Sequence, residues 1–158
     1  MPPLTFRRAV PDEADLLTGI CHRAKASHGY DQAMMEIFLG DGDMVISRES
    51  IARNTIMMAL DGERVVGFAH LMPVEKPETI YLEDLFIEPD VQGRGVGRAL
   101  FEWALAEARE RGYRWLEWDS DPNASPFYQK MGGEQIDEAV STLIPGRKIP
   151  KFRMQTGL

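Results

Sequence analysis

The chain has 158 residues, a formal net charge of −7, 44% hydrophobic and 27% charged residues; this predicts a single domain, 1–158, with a core that needs neither disulfide nor metal, and it excludes disorder. The acidic balance excludes the basic footprint of general nucleic-acid binding, and no run of about eighteen apolar residues is present to span a membrane. The opening MPPLTFRRAV lacks the apolar core of a signal peptide, and the lone Cys21 excludes an internal disulfide and fits a reducing cytoplasm.

Residues 4–8 alternate apolar and polar and predict a first strand. Pro11, with Asp12, Glu13 and Asp15, then opens a helix whose positive end favours those carboxylates. Ala14, Leu17, Cys21 and Ala24 recur at helical spacing, which makes Cys21 a small core residue rather than a catalytic thiol. Residues 27–47 are irregular around an apolar piece at 33–39, read as a short helix between loops. Asp41 and Asp43 resemble the start of a calcium loop, but Val45 and Ile46 bring no ligands, so calcium is rejected. Residues 47–54 predict a helical turn. Residues 55–60 and 65–72 predict two strands joined at Asp61-Gly62, a hairpin signal that suits positive φ. His70 lies in the second of them and reads as a strand histidine bonded to its neighbours. His22, His28 and His70 show no metal-ligand spacing with one another or with Cys21.

The most informative stretch follows, LEDLFIEPDVQGRGVGRALFEWAL at 82–105. Within Thr79–Ile87, period two puts Ile80, Leu82, Asp84 and Phe86 on one face and Tyr81, Glu83, Leu85 and Ile87 on the other, as in an interior strand. Pro89 ends it near Glu88. From Val96 the apolar residues Leu100, Phe101, Ala104, Leu105 and Ala108 form a helical stripe that Gly112 closes. A strand running through Gly93, Gly95 and Gly97 into a helix N-terminus leaves backbone N–H groups unsatisfied at the positive end of a dipole, which makes an anion site. Arg94 and Arg98 add charge, and no acid lies between Val91 and Arg98. The spacing fits neither a dinucleotide fingerprint nor a P-loop. Beyond it, residues 113–119 predict a strand with Trp115 and Trp118 as core or pocket wall. Asp121-Pro122-Asn123 makes a turn, residues 127–131 a short helix closed by Gly132-Gly133, and 134–141 with 151–155 a last antiparallel pair.

Gln92, Gly95 and Gly97 match Q/R-x-x-G-x-G/A, and Asn123, Phe127, Tyr128 and Gly132 match an asparagine followed by a helix with a Phe-Tyr pair and a glycine. On these residues the chain resembles the GNAT acyltransferase superfamily, most strongly from 81 to 132. The resemblance implies an α/β fold of α+β type, a mixed, largely antiparallel twisted sheet of about six or seven strands flanked by about four helices. In it, the strands near 79–87 and 113–119 would run parallel across the helix at 96–111 and splay to admit a pantetheine arm. Acetyl-CoA would be the cofactor. Its pyrophosphate would meet Gln92, Gly93, Arg94, Gly95, Val96, Gly97 and Arg98, its pantetheine arm would pair with Leu85, Phe86 and Ile87, and Asn123 and Tyr128 would complete the site. Tyr30, Asp31, Glu36 and Phe38 would lie near the acceptor.

The expected reaction is transfer of the acetyl group to a primary amine, a small polyamine-like one or a lysine, by direct attack in a ternary complex. YLED at 81–84 is similar to the matching stretch of polyamine and diamine acetyltransferases. Glu83 is the expected general base, on the ground that a carboxylate buried in mid-strand needs a reason; Asp84 is expected to be structural or to bind substrate. Tyr128, protonated at neutral pH, would protonate the departing thiolate, and the N–H of Leu85 or Phe86 would polarise the carbonyl. The alternatives are a non-catalytic acyl-CoA sensor and a transferase for other acyl groups or O-acceptors. By the same resemblance a homodimer is expected.

Overall fold

The computed structural model describes residues 3–42 and 44–158, so Asp43 of the calcium-like sequence lies outside the described residues. In chain order the elements are β1 (Thr5–Arg8), α1 (Ala14–Ala26), α2 (Gln32–Asp41), α3 (Arg48–Arg53), β2 (Thr55–Asp61), β3 (Arg64–Pro73), β4 (Thr79–Ile87), α4 (Val96–Glu110), β5 (Trp115–Asp119), α5 (Ser125–Lys130), β6 (Glu134–Val140) and β7 (Lys148–Gln155). The seven strands form one sheet in the order β1-β2-β3-β4-β5-β7-β6. β1–β2, β5–β7 and β6–β7 are antiparallel and β4–β5 is parallel, the mixed and largely antiparallel arrangement that the resemblance implies. No helix among the described residues is long and apolar enough to cross a membrane.

The residues divide into two compact units, Met1–His70 with Asp84–Phe101, and Leu71–Glu83 with Glu102–Leu158. In the first, α1 buries Ala14, Leu17, Cys21 and Ala24 along the predicted stripe, with Ile20 beside them, and Ile56, Met58, Phe68 and Leu100 are buried as well. Helices α2 and α3 start where side chains satisfy orphan amides: Asp31 accepts from Met34 N at 2.8 Å and Ser47 accepts from Ser50 N at 3.0 Å. A 3-10 turn at Pro11–Glu13 precedes α1, and the Glu13 carboxylate reaches back to Val10 N at 2.9 Å.

In the second unit, β4 pairs with β5 at Thr79↔Trp115, Ile80↔Leu116 and Tyr81↔Glu117, and β5 then pairs with β7 from Trp115↔Gln155 to Asp119↔Lys151. The sequence expectation started the last strand at 151, after Pro150. β7 instead starts at Lys148 and runs through the proline, because the Pro150 carbonyl still accepts from Ser120 N at 2.8 Å. Its core is aromatic: Trp118 stacks on Phe152 with centroids 5.8 Å apart and planes 6° apart. Gly133 is required there by space. A Cβ at that position would lie 2.9 Å from Trp118 Cζ2 and 3.0 Å from the Tyr128 carbonyl oxygen.

Candidate active site

The turn between β4 and α4 is fixed from below and open above. Val91 and Val96 are buried, while Gln92, Gly93, Arg94, Gly95 and Arg98 are exposed. Gly93 and Gly95 take φ of 81° and 86°, a left-handed backbone that side chains resist, and nothing lies within 4 Å of where a Cβ would sit on either. These glycines therefore answer to backbone shape, and the space above them is free for another group. The acids that lead into the turn are already matched: Arg23 Nε and Nη2 donate to Glu88 at 2.8 and 3.1 Å, and Arg64 donates to both oxygens of Asp90 at 2.8 Å. The Arg64 hydrogen bonds hold the Asp90 carboxyl below its ordinary value. Gln92 Nε2 donates to Ser27 Oγ at 3.3 Å. Sequence reasoning missed Arg23 and Arg64, and nothing local points to them, since they precede Glu88 and Asp90 by 65 and 26 residues.

Leu85, Phe86 and Ile87 are half-buried at the end of β4, where Glu88 N donates to Val66 O at 2.8 Å. The two carboxylates before them differ from expectation. Glu83 is exposed, so the burial that singled it out is absent; period two separates the faces of a strand but does not say which is covered. Asp84 is the enclosed one, with a side chain 17% exposed and His70 Nδ1 at 2.8 Å from its Oδ2. His70 is buried in β3, and Asn54 Nδ2 lies 3.0 Å from its Nε2. Cys21 is buried in the same unit; burial, and then the charge of Asp84, push its thiol up to about 12, so it is a protonated core residue at neutral pH.

Of the residues expected near an acceptor, Tyr30 is half-buried and Phe38 buried, their rings edge to face at 5.0 Å, with Lys25 Nζ 5.0 and 4.6 Å from the two centroids. Glu36 is exposed and accepts from Gln32 at 3.3 Å, and Asp31 is the cap of α2.

In the second unit, Tyr128 of α5 is buried, its ring 5.1 Å from both Trp118 and Phe127. Asn123 is exposed in a 3-10 turn, Pro122–Ala124, with its N–H on Asp121 Oδ1 at 2.9 Å. Burial, then a hydrogen bond to Asp119 and the nearby charges of Asp119, Glu83 and Glu117, raise the Tyr81 phenol above its ordinary value. Glu117 is a carboxylate that sequence reasoning passed over. Its side chain is 2% exposed in mid-β5 and takes Lys76 Nζ at 2.6 Å. Its signal was present in the alternation of Trp115, Glu117 and Asp119, which puts it on one face without telling that the face is covered.

The Acetyltransferase (GNAT) family matches residues 21–133, a span that runs from the second half of α1 through the glycine turn and Tyr128. The chain belongs to this family, whose fold uses acetyl-CoA. It is 30% identical over 131 residues to the peptidyl-lysine N-acetyltransferase YjaB of Escherichia coli strain K12, covering 82% of this chain and 81% of that protein. Of two other acetyltransferase relatives the chain spans 29% and 58% of their length. The fold is similar to that of a GCN5-related N-acetyltransferase from Rhodopseudomonas palustris, with a TM-score of 0.81 at 21% identity over 98% of this chain and 97% of the other. It is also similar to the PaiA N-acetyltransferase of Thermoplasma acidophilum in complex with coenzyme A, with a TM-score of 0.71 at 14% identity over 94% and 98% of the two chains.

Proposed function

We infer that this chain is an acetyl-CoA-dependent N-acetyltransferase that acetylates a primary amine, either a small cationic amine or a lysine side chain. The carrying observation is the glycine turn of a GNAT family member: two left-handed glycines with open space above them, at the N-terminus of α4, flanked by the exposed Arg94 and Arg98. Orphan amides, a helix dipole and two guanidiniums suit a diphosphate, so Gln92, Gly93, Arg94, Gly95, Val96, Gly97 and Arg98 would hold that part of acetyl-CoA. Leu85, Phe86 and Ile87 would receive the pantetheine arm, with Asn123 as a further polar contact. The bound thioester supplies an acyl carbon activated toward attack.

The chain's own residues then have two proton tasks. A lysine-like ammonium has a pKa of about 10.4, so freeing its lone pair at pH 7 costs about 4.6 kcal/mol unless a base accepts the proton. A carboxylate of β4, Glu83 or Asp84, is the acceptor of that proton. The amine nitrogen would bond to the acyl carbon as the C–S bond breaks, the Tyr128 hydroxyl would protonate the departing thiolate, and the second proton of the amine would restore the Tyr128 phenol. The likeness to a peptidyl-lysine acetyltransferase supports an amine acceptor, and a homodimer is the proposed assembly.

The test is a melting curve with and without acetyl-CoA. Ligand at a hundred times its Kd stabilises by about 2.7 kcal/mol and raises the Tm by about 5–10 °C in a domain of this size. CoA alone should give a similar rise, and Gly95→Val, folded by circular dichroism, should abolish it. No shift at millimolar acetyl-CoA would remove the reading.

A further inference from the structure

The proton acceptor is open between two adjacent residues of one strand, and their surroundings distinguish them. Asp84 reaches solvent with 17% of its side chain while its Oδ2 is gripped from inside by His70 Nδ1 at 2.8 Å. An amide nitrogen can only donate, so at 3.0 Å Asn54 Nδ2 makes His70 Nε2 an acceptor. The proton of the neutral imidazole then sits on Nδ1, where it donates to Asp84. Each atom in this chain has a defined role: the amide donates to the imidazole, and the imidazole donates to the carboxylate. We propose that Asp84 holds the ammonium of the acceptor and takes its proton, and that His70 and Asn54 are positioning residues that aim this carboxylate and fix its tautomeric partner.

This rests on the acetyltransferase reading above and assigns that reaction's base. Three features favour Asp84 over Glu83. A base needs a fixed direction, and the imidazole pins one rotamer of a short side chain, whereas Glu83 is an exposed, longer one. Partial enclosure strengthens the attraction between a carboxylate and an ammonium relative to open water. The Asn54 NH2 group also occupies the Nε2 side of the ring, which keeps Nδ1 as the nitrogen turned to Asp84. On α1, packed in the same unit, Cys21 lies in the field of Asp84, and Lys25 acts on Cys21 in turn. Cys21 stays protonated near neutrality, so it adds no competing step there.

The experiment uses the full chain with n-butylamine, spermidine and a lysine-containing peptide as acceptors. Asp84→Asn should lower kcat/KM for the amine by about a hundredfold or more, with KM for acetyl-CoA within about twofold, whereas Glu83→Gln should lose less than about tenfold. His70→Leu should lose about tenfold and move the acid limb of the kcat/KM profile. His70→Asn, whose amide can donate from the place of Nδ1, should recover part of the rate. Since His70 is buried, a second readout avoids variants altogether: nitrogen NMR of the wild-type histidines should show the Nδ1–H form of His70, and saturating spermidine should shift its signals. The assignment is overturned if Glu83→Gln collapses turnover while Asp84→Asn keeps it, or if spermidine binds without moving the His70 signals. Lack of wild-type turnover on all three amines would instead sink the acetyltransferase reading, and this inference with it.

Discussion

Asp84 in the first unit and Glu117 in the second are both enclosed carboxylates with a basic side chain on one oxygen, but the enclosures are opposite. Asp84 is held by a partner more buried than itself, His70, with side-chain exposures of 17% and 4%. Glu117 is capped by a partner far more exposed than itself, Lys76, with exposures of 2% and 51%. A neutral imidazole orients a carboxylate and leaves its charge available to a third group, whereas an ammonium at 2.6 Å cancels it. Enclosure alone does not mark a catalytic carboxylate; the charge of the partner and the side from which it comes decide what remains to be done.

Removing each partner in turn should separate the two carboxylates most strongly. Lys76→Met leaves Glu117 buried without its counter-ion and should destabilise the protein by about 2–3 kcal/mol at neutral pH in urea titrations, below the range for fully buried pairs because Lys76 is half in water. The loss should shrink in acid, where a lone carboxyl can be neutral. A loss under about 0.5 kcal/mol would mean that Glu117 finds water or another partner. His70→Leu should cost less, about 1–2 kcal/mol, since Asp84 can turn to solvent; a cost above that of Lys76→Met would reverse the ranking.

A smaller effect reports the field of Asp84. The thiol of Cys21 is raised from an ordinary 9.0 to about 12, first by burial and then by Asp84. A group raised on folding gives stability that is complete below the unfolded value and lost as the pH rises through the folded one. Unfolding free energy should therefore fall between pH 9 and 12, by about 1.4 kcal/mol at pH 10, and Cys21→Ala should flatten that part of the curve. An unchanged slope in Cys21→Ala would assign the alkaline loss to other groups, Tyr81 first.

The strand, glycine turn and helix at 79–110 were legible because their signals are local: alternation, Pro89, the glycines and one apolar stripe. So was Cys21 as a core residue, whereas the parallel pairing of β4 with β5 followed from the family resemblance. What failed was any property set by a distant partner. Sequence alternation separates Glu83 from Asp84 but does not say which face is covered, and His70 and Asn54 lie 14 and 30 positions before Asp84. Glu117 was passed over for the same reason, its partner lying 41 residues earlier. The early start of β7 was hidden by Pro150, since a missing donor matters only where the neighbouring strand needs one.

The place of β7 also constrains how the chain is made. It lies between β5 and β6, though it is synthesised after both. On the ribosome, β5 and β6 emerge with no neighbour between them, each presenting bare amides and carbonyls toward a strand that does not yet exist. β2 and β3 face no such delay, since each lies beside the strand made before it. The second unit therefore completes its sheet only once Lys148–Gln155 has emerged, and until then a nascent chain must avoid pairing with strangers. The charges of Glu134, Asp137 and Glu138 along β6 provide that protection during synthesis and remain afterwards on the outer edge of the sheet.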